Sequence, residues 1–150
     1  MSETPLVPES FEVPPMLETK HFRLRMLTVE DVEKDYEAVM ETQARFHAMG
    51  SSWPREGFMI AENLADLKRH QHEFIEREAF AYTVVSLDKS RVLGCVYINP
   101  AEREDHDARI HMWVRQSEFE KGLDPILYDE VRKWVETSWP FAAVTYPGRE

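Results

Sequence analysis

The chain has 150 residues, 43% of them hydrophobic, which gives room for one domain with one core and excludes a second full domain. Eighteen lysines and arginines stand against 28 aspartates and glutamates, a formal net charge of -10 at pH 7. This negative field repels nucleic-acid phosphates and anionic lipids, so we expect neither nucleic acid nor a membrane surface as a partner.

The only cysteine, Cys95, cannot form an internal disulfide and is no metal framework, which favours a reducing compartment. The N-terminal segment lacks the basic start and apolar run of a secretory signal. No stretch approaches the about 18 uninterrupted apolar residues of a membrane span. We therefore expect a cytoplasmic protein, in which the proline-rich residues 1–15 form a flexible arm and residues 16–150 form a single domain.

The first predicted elements are a strand and two helices. Apolar and basic residues alternate over 21–27, the period of a half-buried strand. Thr28 and Asp31 resemble a capping box at the start of a first helix, because apolar residues follow at helical spacing. After a break at 50–54, a second apolar stripe begins at Ile60 and predicts a second amphipathic helix.

The middle of the chain reads as a β-meander. Segments 80–86 and 91–98 are rich in β-branched and aromatic residues and are separated by a short polar turn, which predicts a hairpin. A third apolar run at 108–114 follows a polar link. Three consecutive antiparallel strands are therefore expected.

A helix and a strand complete the predicted fold. Apolar residues between 123 and 135 share one helical face, with Asp124 as the expected N-cap and Pro125 at the first helical position. The last strand, 141–146, should run parallel to 108–114, because the helix between them is a crossover. The fold class is α+β, a mixed α/β sheet in the order β-α-α-β-β-β-α-β.

Three segments carry a family resemblance through their order and spacing. They are 17–31 (LETKHFRLRMLTVED), 92–96 (VLGCV) and 113–123 (WVRQSEFEKGL). Together they resemble the opening, the glycine-containing strand and the W-V-R … G-K-G segment of the GNAT superfamily. The resemblance implies a GNAT-like fold, N-acetyltransferase activity and acetyl-CoA as co-substrate.

The family also implies a cofactor site. In GNAT proteins two parallel strands splay apart, the first binds the pantetheine arm through its backbone, and N–H groups at a helix N-terminus bind the pyrophosphate. Carried over to this sequence, the pantetheine residues are Met112, Trp113 and Val114, and the pyrophosphate residues are Phe119, Glu120, Lys121, Gly122, Leu123 and Asp124.

The pyrophosphate loop departs from the family pattern Q/R-x-x-G-x-G/A. Only Gly122 is kept, while Phe119 replaces the Gln or Arg and Asp124 replaces the last Gly or Ala. As an N-cap, Asp124 would also occupy the N–H groups that a phosphate needs. A carboxylate roughly 5 Å from a phosphate charge costs about 3 kcal/mol at an effective dielectric of 20.

The C-terminus is shorter than in the family. Members usually continue past the last matched strand with a helix and two strands, and nothing here corresponds to them. The edge at 141–146 would then be open, so we expect a homodimer.

His111 and Tyr97 are the candidate catalytic residues. A neutral His111 facing the cleft could remove the amine proton, although a packed or exposed strand histidine is the alternative. Tyr97 on the neighbouring strand could act as an acid, or it could be a core tyrosine with one satisfied hydroxyl. No metal site is expected, because the acidic run 102–107 lacks the glycine and spacing of a calcium loop.

Two functions stay open from the sequence. The first is an acyl-CoA-dependent N-acyltransferase acting on a small cationic amine such as a polyamine, which the net charge of -10 favours. The second is a non-catalytic GNAT-fold protein that has lost CoA binding and binds another ligand or a partner. Binding of acetyl-CoA separates the two.

Overall fold

A computed structural model describes residues 5–149 as a six-stranded sheet with helices on both faces. The elements in chain order are β1 (Met16–Glu18), β2 (Arg23–Met26), a 3-10 turn (Val29–Asp31), α1 (Val32–Ala48), α2 (Ile60–Ile75), β3 (Phe80–Val85), β4 (Val92–Pro100), β5 (Ala108–Val114), α3 (Gln116–Glu120), α4 (Leu123–Ser138) and β6 (Val144–Thr145).

The sheet has the predicted mixed topology. Its strands follow chain order from β1 to β6, and every neighbouring pair is antiparallel except β5 and β6. The parallel pair spans only two positions, Ala108 with Val144 and Arg109 with Thr145. Beyond them β5 pairs only with β4, which leaves its other edge open toward the cleft. The predicted strand 141–146 is thus reduced to two residues, Val144 and Thr145, and the homodimer stays a prediction.

Strand alternation divides the core into two layers. Residues such as Tyr82, Val96 and Ile110 face α4, while Ala81, Cys95 and others on the opposite pleat face α1 and α2. On the α1/α2 side, the pleat of β4 and β5 also places their polar side chains together. They are Tyr97, Asn99, Arg109 and His111.

Residues 5–15 of the segment predicted as a flexible arm contact the domain, while residues 1–4 lie outside the described part of the chain. Val7 is only 2% exposed and belongs to the core beside α4. Arg77 donates hydrogen bonds to the carbonyls of Pro8 and Phe11, both at 2.9 Å, and the Tyr82 hydroxyl donates to Pro14 at 2.6 Å. Because proline carbonyls accept hydrogen bonds like any others, the composition alone did not exclude this docking.

Within residues 5–149, no helix combines the length and the apolar character needed to cross a bilayer.

Candidate active site

A cavity of about 710 Å³ lies between the α1/α2 layer and strands β4 and β5, and it extends to the start of α4. It brings together six of the residues predicted from the sequence: Tyr97, His111, Met112, Trp113, Phe119 and Asp124. Val114, Glu120, Lys121, Gly122 and Leu123 do not line it. The predicted catalytic and cofactor residues therefore share one cleft, but only part of the predicted pyrophosphate loop reaches it.

Tyr97 and His111 are direct cross-strand partners, and their ring centroids are 4.8 Å apart. The Tyr97 hydroxyl accepts a hydrogen bond from Trp113 Nε1 at 3.1 Å. Burial raises the pKa of Tyr97 well above its usual value. The phenol is therefore neutral at ordinary pH, and its hydroxyl also interacts with the Cys95 thiol through a side-chain hydrogen bond.

Two imidazole rings flank Tyr97 and both favour the neutral form. His70 on α2 lies 5.3 Å from the Tyr97 ring, and desolvation lowers its pKa to about 4. Desolvation also lowers the pKa of His111, with a further contribution from Arg109. Asn99 Nδ2 lies 3.1 Å from His111 Nε2, so this nitrogen accepts when the Asn99 amide donates. His111 can then serve as a base only after Asn99 releases it.

Arginines occupy the backbone edge of β5 that was predicted to bind pantetheine. Arg149 Nη2 donates to the Met112 carbonyl at 3.2 Å, and Arg45 on α1 donates to the Val114 carbonyl. Arg45 also donates to Gln116 and lies 4.0 Å over the Phe119 ring. Both carbonyls face the open edge, and each already has a cationic partner.

The predicted pyrophosphate loop is partly helical. The N–H groups of Phe119, Lys121 and Gly122 donate to carbonyls within the α3 turn, at 2.9, 3.1 and 3.1 Å. Gly122 then adopts a left-handed φ of 89° and precedes α4, a conformation that favours glycine. The anion donors that remain are the first N–H groups of α4, which a helix cannot satisfy internally.

The prediction that Asp124 caps α4 is wrong. Gly122 holds the cap position, α4 begins at Leu123, and the cap carries no side-chain hydrogen bond. The Asp124 carboxylate instead forms a bidentate pair with Arg149, at 2.8 and 2.9 Å. A guanidinium is a stronger partner for a carboxylate than backbone N–H groups, and its charge offsets the repulsion between Asp124 and a phosphate.

Most charged side chains that line the cavity are paired. Asp66 pairs with Arg69 at 3.3 Å, Arg109 with Glu102 at 2.7 Å, and Asp124 with Arg149. Within the described residues, two lining groups have no ion-pair partner: Arg45 near α4 and Asp35 at the opposite, α2-side wall. The cleft thus has a guanidinium without an ion-pair partner at one end, where the charge of Asp124 acts on it, and a carboxyl group without an ion-pair partner at the other.

Five residues that line the cavity were not predicted as site residues from the sequence: Asp35, Asn63, Arg45, Arg149 and His70. A signal for Asp35 exists, because it lies within the apolar stripe of α1 between Val32 and Val39. Asn63 occupies the equivalent stripe of α2. The role of Arg149 had no local signal, since its partner lies 25 positions away in the chain.

Arg115 fixes the segment that follows β5. Its guanidinium, with a side chain 3% exposed, donates to Glu37, Glu41 and the Val92 carbonyl. Glu41 also accepts from the Ser117 backbone and hydroxyl, both at 2.8 Å. These contacts tie α1 to the start of α3 and thereby position Phe119 at the cleft.

Glu41→Ala should therefore lower the free energy of unfolding at pH 7 by about 2 kcal/mol, since it removes the main counter-ion of a buried guanidinium. The Arg115 hydrogen bond holds the pKa of Glu41 down at about 2, below its ordinary value. The stabilisation is thus fully present above pH about 4.5 and lost toward pH about 2. Urea unfolding at pH 7 and pH 3 measures it. Glu37→Ala, at an exposed partner, should cost about 1 kcal/mol or less; equal effects would contradict this assignment.

In the described residues, no group of three or more His, Cys, Asp or Glu side chains could hold a metal ion.

Comparison with known proteins gives a fold and no sequence family. No family model and no curated protein matches the sequence. Among solved structures, the chain is similar to the microcin C7 self-immunity acetyltransferase MccE, determined in complex with acetyl-CoA and AMP. The TM-score is 0.66 at 14% identity, and the match covers 83% of this chain and 69% of MccE.

Two further structures show the same likeness. RimJ from Mycobacterium smegmatis, in complex with CoA-disulfide, has a TM-score of 0.65 at 14% identity, with 85% of this chain and 64% of RimJ covered. The ribosomal-protein-S5-alanine acetyltransferase from Vibrio fischeri has a TM-score of 0.62 at 14% identity, covering 80% and 66%. The mixed sheet, with its last strand parallel to its neighbour, is the GNAT acetyltransferase fold.

Proposed function

We propose that this chain is an acyl-CoA-dependent N-acyltransferase with acetyl-CoA as its acyl donor. The observation that carries the proposal is the placement of the cleft. It reaches from the open edge of β5 and the start of α4 to the polar side chains of β4 and β5, on a GNAT fold. Structures of similar fold were determined with acetyl-CoA or CoA.

The residues at the α4 end of the cleft fit a phosphate-bearing donor, although not through the loop pattern of the family. The family's loop pattern is reduced to Gly122, but Arg45 lies at the same end of the cleft without a carboxylate partner. Two of its five N–H groups are used, so others can bind a phosphate oxygen. Arg149 adds a second guanidinium, and the first turn of α4 contributes its helix dipole.

The chain's own groups then supply positioning and proton transfer. Met112 and Val114 offer backbone carbonyls to the pantetheine amides once Arg149 and Arg45 turn toward phosphate. The neutral Tyr97 hydroxyl can protonate the departing thiolate. His111, when released by Asn99, can take the amine proton directly or through a water molecule. The acceptor is a small cationic amine.

The second candidate is a non-catalytic binding protein of the same fold. It is favoured by the carbonyls of Met112 and Val114, which already hold arginines, and by the α3 turn, which uses N–H groups of the predicted loop. In that case the cleft would take a ligand other than CoA.

Calorimetric titration with acetyl-CoA distinguishes the two functions. We expect binding by the wild type and about tenfold tighter binding by Asp124→Ala, because the variant removes a negative charge beside the phosphate site and frees Arg149. Asp129→Ala, on the exposed part of α4, removes the same charge as a control and should change affinity by less than about twofold.

Absence of heat with both wild type and Asp124→Ala at millimolar acetyl-CoA would overturn the transferase proposal and leave the binding protein. Where acetyl-CoA binds, release of free CoA thiol in the presence of spermidine tests turnover. Thiol release that occurs equally without an amine would show hydrolysis and contradict N-acyl transfer.

A further inference from the structure

Asp35 is a buried carboxyl group that opens into the cavity. It is 4% exposed, and it lines the cleft together with Asn63, whose Nδ2 donates to it at 2.9 Å. Among residues 5–149 this is its only side-chain hydrogen bond, and no cation lies within ion-pair distance. A buried carboxylate with one neutral donor is incompletely compensated.

The charged neighbours of Asp35 do not supply the missing cation. Asp31 and Asp66 are the nearest charged groups that act on it, and both are negative. Each of them has its own arginine, Arg25 at 2.7 Å and Arg69 at 3.3 Å. These arginines are therefore committed elsewhere, and the local field at Asp35 attracts a cation from the cavity.

The surrounding wall suits an organic cation rather than a metal ion. Phe46, Trp53, Tyr97 and Trp113 line the same cavity as Asp35, and Tyr97 lies close enough for the Asp35 charge to act on it. Phe46 packs against Trp53 at 5.4 Å and against Trp113 at 5.3 Å, so the rings form one connected surface. Aromatic rings attract ammonium groups through their π faces and tolerate their alkyl chains, whereas a metal ion needs several oxygen or nitrogen ligands.

The imidazoles leave the wall electrically neutral. His70 and His111 both line the cavity, and the pKa of each is lowered, so they add no positive charge at neutral pH. Arg45, the guanidinium of the cleft without an ion-pair partner, lies at the other end, where it contacts Val114 and Phe119 and is within reach of the Asp124 charge. Opposite charges at the two ends match a donor that carries phosphates and an acceptor that carries an ammonium group.

We propose that the end of the cavity beside α2 binds an organic ammonium ion, with the Asp35 carboxylate as its counter-ion and the aromatic residues as its wall. The inference rests on the proposed function, because it specifies the acceptor of that reaction. Ammonium binding itself needs no acyl donor and can be measured alone. Asn63 orients the carboxylate through its single hydrogen bond and acts as a positioning residue.

The test is calorimetric titration of the full chain with spermidine, at physiological salt and without acetyl-CoA. Asp35→Asn keeps the shape of the side chain and can still accept from Asn63, but it removes the charge. It should weaken spermidine binding by about tenfold or more. Glu33→Gln removes the same charge from the exposed face of α1 and should change affinity by less than about twofold.

Equal affinities for the wild type and Asp35→Asn, or no heat at millimolar spermidine, would overturn the inference. Asp35→Asn and Glu33→Gln change the net charge by the same amount. A larger loss of spermidine affinity in Asp35→Asn than in Glu33→Gln therefore separates a specific site from attraction to the negatively charged surface. Adding sodium chloride should weaken surface attraction more than binding at the buried carboxylate.

Failure of the ammonium-site inference can be distinguished from failure of the proposed function. Asp35-dependent spermidine binding without CoA thiol release would keep the ammonium site and reject the transferase. Thiol release with a KM for spermidine that is unchanged by Asp35→Asn would keep the transferase and reject the ammonium site.

Discussion

Gly94→Ala is expected to prevent folding. Gly94 is paired with Val114 across β4 and β5, and a Cβ at this position would overlap the Trp113 carbonyl oxygen and lie 2.9 Å from Val114 Cα. Both obstacles are backbone atoms, so no side-chain rotation can relieve the clash. Separating the strands would break the hydrogen bond from the Arg115 N–H to the Leu93 carbonyl, 2.7 Å long. We expect a loss of about 4 kcal/mol or more.

Circular dichroism and urea unfolding of the purified variant measure this effect. Gly50→Ala is the control, since it adds the same methyl group where no atom lies within 4 Å. Its left-handed φ of 96° should make that change cost only about 1 kcal/mol. A folded Gly94→Ala protein as stable as Gly50→Ala would show that β4 and β5 do not approach so closely.

Gly94 also explains why the V-L-G-C-V segment helped to identify the fold. The close approach that it permits fixes the C-terminal end of β5 at Val114, beyond the short parallel pairing with β6 at Ala108 and Arg109. Alternation of apolar and basic residues located the first strand, and apolar runs rich in β-branched and aromatic residues located the strands of the meander. Tyr97 and His111 could be placed together from sequence, since both lie on the pleat that includes Cys95.

Features that depend on distant partners were not predictable. Asp124 resembles an N-cap in sequence, but Arg149 competes for its carboxylate and wins through two charge-assisted hydrogen bonds. The N-terminal segment resembles a flexible arm, yet Arg77 and Tyr82 bind its carbonyls. The local sequence around Asp124 is compatible with an N-cap or an ion pair, and that of the N-terminal segment with a free or a packed arrangement. In each case a tertiary contact selects one of the two.

Asp35 shows a different limit of sequence analysis. The apolar stripe of α1 predicted burial for its position, and a carboxyl group at such a position is a conflict between pattern and chemistry. Such conflicts are more common at functional sites, where burial perturbs a titratable group. The sequence therefore contained the signal for Asp35, but the signal becomes specific only when the cavity beside it is known.

Asp35→Asn should stabilise the protein at neutral pH. Desolvation raises the pKa of Asp35 from its ordinary value of 3.8 to about 6, so the folded state binds its proton more tightly than the unfolded state. This group's contribution to stability is therefore present at acid pH and is lost as the pH rises from about 4 to about 6. At pH 8 the buried charge costs on the order of 3 kcal/mol, which the asparagine does not incur.

Urea unfolding of both proteins at pH 4 and pH 8 isolates the effect, because other titrating groups cancel in the difference between variant and wild type. We expect similar stabilities near pH 4 and a more stable Asp35→Asn protein at pH 8. A difference that does not depend on pH would contradict the buried charge, and Glu33→Gln should show none. Spermidine should then stabilise the wild type at pH 8 more than the variant, since a ligand that compensates the carboxylate binds only the folded state that holds it.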